Sequence, residues 1–151
     1  MTPLWRFVHY LAFTAWIGGA LAAMIAGLAL RRLDRSLWVG VAEAQAAIYR
    51  SMIGPGAIVT VFTGLMLTFK MYGSMSVQVG PWLGTMQGVG LIAALVTLLG
   101  AMPAATRMAR LEPTGNTAGA FDQARRRLAI AGSIGGTLAL LALLAGALYR
   151  P

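Results

Sequence analysis

Four long runs without Asp, Glu, Lys or Arg dominate this chain: Phe7–Leu30, Ser51–Phe69, Met71–Thr106 and Leu128–Tyr149. A helix needs roughly 20 apolar residues to cross the hydrocarbon of a bilayer, and each run is long enough. In lipid every backbone amide must be satisfied within the chain, so such runs fold as helices. The expected fold is all-α, an integral membrane bundle of four transmembrane helices in one domain covering residues 1–151. The spans are expected over about 4–30, 45–70, 82–106 and 127–149. The first run extends through Leu30 to Arg31-Arg32. A secretory signal has a shorter apolar region and a small-residue cleavage site, so this run reads as a retained helix.

Composition supports a lipid environment. Charged residues make up 11% of the chain and hydrophobic residues 58%. A soluble domain carries about 25% charged residues, so this chain lacks the side chains to cover a water-facing surface. The net charge of +8 does not point to nucleic acid. The basic residues stand at the ends of apolar runs, as topology signals do, and no basic face remains for a duplex. There is no cysteine, which excludes thiolate metal sites and cysteine-ligated clusters.

The charge distribution orients the chain. Four basic residues follow the first span (Arg31, Arg32, Arg35, Arg50), and five lie between the third and fourth (Arg107, Arg110, Arg125, Arg126, Arg127). The 2–3 connection has only Lys70, and the termini carry Arg6 and Arg150. Positive loops stay in the cytoplasm, so both termini are expected on the periplasmic side of a bacterial inner (plasma) membrane. Pro55 is expected to bend the second helix. Gly84 and Gly88, and separately Gly132 and Gly136, mark small-residue seams for close helix packing, within the bundle or between copies in a homo-oligomer or larger membrane complex.

Candidate chemistry begins at His9, the one histidine. Ionisable residues within a membrane span are costly and tend to be functional. His9, Ala12, Trp16 and Gly19 share a face of the first helix. That face accepts the edge of a planar macrocycle or serves as a packing seam, and the spacing alone does not choose between them. Met66, Met71, Met75 and Met86 lie toward the same end, and thioethers ligate haem iron and Cu(I). Each also serves as apolar filler. Thr60, Thr63 and Gly64 share a face of the second helix. Their hydroxyls can rescue carbonyls freed by Pro55 or bond a neighbouring helix. Asp34, Glu43, Glu112 and Asp122 all fall in connections, which removes the intramembrane carboxylate relay of ion-coupled pumps. No catalytic residue can be assigned.

Trp5, His9, Trp16 and Gly19 keep the spacing W-x3-H-x6-W-x2-G. Tyr49-Arg50, Pro55, Thr60, Thr63 and Gly64 follow Y-[RK]-x4-P-x4-T-x2-T-G, and the chain ends Arg150-Pro151. In these features, over about half its length, the chain resembles the HemJ-type protoporphyrinogen oxidases and the related copper-resistance-D-like membrane proteins. The resemblance implies a four-helix bundle that binds haem b, with His9 as the metal ligand. Trp16, Gly19, Thr60, Thr63 and Met66 are then expected around the cofactor, with porphyrin or quinone as small-molecule partners. It also brings copper handling into view. Two features of the HemJ type are missing. Trp82-Leu83 is followed by Met86 and Gln87 instead of a lysine, and Arg127-Leu128-Ala129-Ile130 stands where R-x2-N-E-x-P is usual. A non-enzymatic accessory subunit is the alternative reading of the same chain.

Overall fold

The computed structural model describes residues 2–73 and 80–148. Helix α1 (Thr2–Ala29) ends in a 3-10 turn at Leu30–Arg32, and a second 3-10 turn at Arg35–Leu37 leads into α2 (Trp38–Ile48). A π-helical turn at Tyr49–Ile53 joins α2 to α3 (Gly54–Tyr72). Then come α4 (Pro81–Val96), a second π turn at Thr97–Ala101, α5 (Met102–Met108), a 3-10 turn at Gly115–Thr117, and α6 (Ala118–Leu148). Four continuous helical segments are long and apolar enough to cross a membrane: Pro3–Arg32, Arg35–Met71, Pro81–Met108 and Gly115–Leu148. The fold is a four-helix membrane bundle, and the chain is a multi-pass membrane protein.

Two helices extend further than the apolar runs. The second runs unbroken from Arg35 instead of beginning near residue 45, and the fourth begins at Gly115–Ala118 instead of near residue 127. At 1.5 Å per residue these segments are about 50–55 Å long, against a hydrocarbon thickness of about 30 Å. The extra turns carry the charged and polar residues, Arg35 and Glu43 on one and Asp122 and Arg125 on the other. Beyond the hydrocarbon such side chains can be satisfied by water, headgroups or one another without requiring the helix to stop. Tyr149, Arg150, Pro151 and Met75 lie outside the described residues.

Each π turn immediately precedes a proline-containing helix start, Gly54-Pro55 and Met102-Pro103. Proline cannot donate to the ladder, and a wide turn is one way a helix absorbs that loss. The two helix starts that follow these turns approach each other, because a side chain added at Gly54 would stand 3.2 Å from the Met102 sulfur. The expected bend at Pro55 is therefore a local widening, centred one turn before the proline.

The packing inverts that of a soluble protein. The buried set is rich in alanine, including Ala42, Ala57, Ala93 and Ala105, each fully buried, while Leu4, Ile25 and Leu99 are among the most exposed residues. Lipid tails are as apolar as leucine, so helices associate through close backbone approach and leave large side chains to the bilayer. The α4–α6 seam shows this. Gly135 packs against Thr97 and Ala93, Gly100 against Ala131, Gly90 against Ala142, and Gly146 against Met86. Of the anticipated seams, Gly84, Gly88 and Gly136 have open space around them, and Gly132 faces the Tyr49 hydroxyl.

At the basic end, Arg35 ties the first connection to the third. It bonds the Pro113 carbonyl and pairs with Asp122 at 2.7 Å. Its guanidinium and that of Arg125 both stack on Trp38, 5.1 Å from the ring centre. Trp38 in turn packs on the fully buried Phe121.

Candidate functional site

Helices α1 and α3 run antiparallel, and nearly all of the motif residues described above lie along their seam. From the end that carries the N-terminus, Lys70 of α3 sits over the Trp5 ring at 5.3 Å, and Trp5 packs on Phe62. One level deeper, His9 Nδ1 lies 2.9 Å from Thr63 Oγ1. Below that, a side chain at Gly56 would strike the Ala12 carbonyl and the Trp16 amide at 2.8 and 2.9 Å, so the two backbones touch. Deeper still, Gly19 lies under Ile53, Met52 and Ile48.

The Thr63 hydroxyl decides the state of the imidazole. It has one proton to give. Its shortest contact is the Val59 carbonyl at 2.6 Å, with the Thr60 carbonyl at 3.2 Å. A carbonyl can only accept, so the hydroxyl proton goes to Val59. Thr63 Oγ1 must then accept from His9, which places the imidazole proton on Nδ1 and the free lone pair on Nε2. This is the arrangement of a ligating histidine, whose other nitrogen is fixed by a hydrogen bond. Gly64 makes room for the ring: a Cβ there would stand 3.2 Å from His9 Cε1.

The remaining expected residues divide. Trp16 is 2% exposed and joins the core, edge-on to Phe13, and Gly19 is closed over by the end of α2 and the π turn that follows it. Both are used for packing, so the helix-one face works as a seam over that stretch and only the His9 edge is left partly exposed. Thr60 is buried and its hydroxyl has no partner. Met66 is partly exposed on the turn after Thr63. Met71 is exposed, and Met86 is turned to α6 against Gly146, so these two methionines do not converge on His9.

Polar residues that a search for charges passes over complete the picture. Gln87 of α4 donates to Thr68 of α3, and Thr68 donates to the Gly64 carbonyl at 3.1 Å. This links α4 to the turn that carries Gly64. On the other side of the bundle, Gln45 of α2 is 5% exposed and donates to the Ala23 carbonyl at 2.6 Å. Gly27 provides the space for its amide. Among the described residues no three His, Cys, Asp or Glu side chains come together in a way that could hold a metal ion.

The fold and the seam define a multi-pass, four-helix membrane protein with one oriented histidine within a span. Comparison with protein-family models, with curated proteins and with solved structures returned no match.

Proposed function

We propose that this chain is a small bacterial inner-membrane protein that carries haem b on His9. The observation that supports this is the Thr63 contact, which holds the imidazole by Nδ1 and leaves the Nε2 lone pair free. The residues suit the group. The imidazole edge is partly exposed beside α3, the neighbouring Gly64 has no side chain to block it, and the buried Thr60 hydroxyl on the same face lacks a partner. His9 would hold the group through Nε2, and Met66, one turn beyond Thr63 and partly exposed, is the candidate for a further ligand. When bound, haem contributes one-electron redox chemistry, which suits a porphyrin or quinone reaction partner in the membrane. The chain's own part is to orient the imidazole through Thr63, exclude bulk water through Trp5 and Phe62, and keep the seam closed through Gly56 and Gly19.

The test is an absorption spectrum of the protein purified in mild detergent, with and without added haem. A Soret band that His9→Ala abolishes, in a variant that remains monodisperse, supports the reading. No Soret band after supplementation overturns it.

A second reading has its own observation. Trp16 and Gly19 are fully engaged in packing, as expected of an accessory subunit that carries no cofactor and docks in a homo-oligomer or larger complex. It gains ground if haem fails to bind and the protein co-purifies with a stoichiometric membrane partner. The periplasmic placement of both termini belongs to either reading and rests on the basic residues at the other end of the bundle.

A further inference from the structure

A groove of about 560 Å³ opens between α1 and α6, floored by α2 and by Tyr49 of the first π turn. As first and fourth spans, its two walls run in opposite directions. Arg31, near the end of the first span, and Arg125, near the start of the fourth, therefore lie at the same end of the groove. The lining continues from Arg31 to Ile17 on one wall and from Arg125 to Leu140 on the other, about 21–23 Å at 1.5 Å per residue. One leaflet has the same depth: half of the hydrocarbon layer plus one headgroup region is about 20–22 Å. The trough thus has the length of one phospholipid from headgroup to chain end.

Missing side chains hold the groove open. An added Cβ at Gly136 would meet nothing within 4 Å, and one at Gly132 would meet only the Tyr49 hydroxyl. Small residues in a membrane bundle normally let the next helix close in, and here α1 stays away. The exposed walls are aliphatic, with Leu21 and Met24 facing Leu140. The basic end sets the sign of the occupant. No carboxylate lines the groove. Among the described residues none pairs with Arg31, and Asp122 stands 3.9 Å from Arg125 while bonded to Arg35 at 2.7 Å. Stacking on Trp38 holds the Arg125 guanidinium without neutralising it. A helix from a second copy fits this end poorly. Copies inserted in one direction put like ends together, so its own Arg31-Arg32 or Arg125-Arg126-Arg127 would meet Arg31 and Arg125. We propose that the groove holds one anionic phospholipid of the leaflet at the basic end. Its phosphate is held by Arg31 and Arg125, and an acyl chain lies along the trough past Gly132 and Gly136 toward Leu140. His9 lies toward the other end of α1 and faces α3, so this site does not depend on the haem reading.

The experiment strips lipid from the full chain in mild detergent, then titrates it with dioleoyl phosphatidylglycerol or dioleoyl phosphatidylcholine and counts bound lipid by native mass spectrometry. The chains are the same and only the headgroup charge differs. The first phosphatidylglycerol is expected to bind about 20–30-fold more tightly than the first phosphatidylcholine, at about fivefold for each arginine. Arg31→Gln combined with Arg125→Gln should remove that preference. Arg126→Gln combined with Arg127→Gln takes the same charge from residues outside the groove and should leave it intact. Gly136→Leu should weaken both lipids by filling the trough. The unfolding temperature of each lipid-free variant shows that the bundle is intact. If the Arg125 change fails to fold, Arg31→Gln alone should lower the preference about fivefold. Equal affinity for the two lipids overturns the proposal. So does an equal loss of preference in the two double variants, which would make the attraction a diffuse surface charge. A lipid-free dimer that Gly136→Leu converts to monomer would assign the groove to a second copy and overturns it as well. The readout is bound lipid and not absorbance, so a failure here leaves the His9 reading standing, and a missing Soret band leaves this one standing.

Discussion

Thr63 Oγ1 accepts the Nδ1 proton of His9 across the α1–α3 seam at 2.9 Å, while giving its own proton to Val59 one turn back. One hydroxyl thus fixes the rotation and the tautomer of the only histidine. Thr63→Val keeps the shape and removes the acceptor. If His9 carries haem as proposed, this change is expected to weaken haem binding by about 10–100-fold, the usual cost of losing a partner to a ligating histidine, and Thr63→Ser should restore most of it. Haem titration followed at the Soret band checks this. If Thr63→Val and wild type bind alike, the hydroxyl does not orient the ligand.

The glycines of the seam should differ sharply in tolerance. At Gly56 an added Cβ would meet main-chain atoms of Ala12 and Trp16 at 2.8 and 2.9 Å, and neither can move without shifting α1. Gly56→Ala is expected to cost about 1–3 kcal/mol, as overpacking does. At Gly18, on the same helix pair, nothing lies within 4 Å, so Gly18→Ala should be neutral or slightly stabilising through helix propensity. Thermal unfolding of the two variants in the same detergent gives the comparison, and similar unfolding temperatures would contradict the close backbone contact.

The four spans were legible because lipid leaves a chain few options: an uncharged run of sufficient length has to be a helix. Their ends were less legible. Asp122 and Arg125-Arg126-Arg127 look like a loop in a charge pattern, yet they lie within α6, because a helix that leaves the hydrocarbon can continue into the headgroups. Spacing identified small-residue pairs but not their direction. Gly84 and Gly88 face open space, whereas Gly90, Gly100, Gly135 and Gly146 make the α4–α6 contact, since the seam depends on which face meets the neighbour. His9 and Thr63 were visible separately, one as an ionisable group and one as a motif threonine. Their contact was not, because sequence alone does not give the register of antiparallel helices. Gln45 was missed because it carries no charge, and Gln87 was noted only as standing where a lysine is usual; their roles emerge only from the amide bonds they make.

The charge asymmetry makes a topology prediction for which this cysteine-free chain is well suited. Single cysteines at Ser36 and Asn116, both exposed at the basic end, should react with a membrane-impermeant maleimide only after the cells are permeabilised. Met71→Cys, exposed at the other end, should react in intact cells. Reaction at Asn116 in intact cells would reverse the assigned orientation of the bundle.

Stability at the basic end should come from Phe121 far more than from the ion pair beside it. Arg35 and Asp122 meet at 2.7 Å, but their side chains are 40% and 42% exposed. Water and salt therefore screen most of their attraction, and exposed pairs contribute about 0–1 kcal/mol. Phe121 is fully buried under Trp38, and removing a buried aromatic ring costs about 3–5 kcal/mol. Asp122→Asn should lower the unfolding temperature slightly, by an amount that shrinks as salt is raised. Arg35→Ala should cost more than Asp122→Asn, since it also removes the bond to the Pro113 carbonyl and a cation stacked on Trp38. Phe121→Ala should cost the most and show no salt dependence. If Asp122→Asn proves as damaging as Phe121→Ala, the helical extension beyond the lipid is held by charge instead of by the aromatic pair.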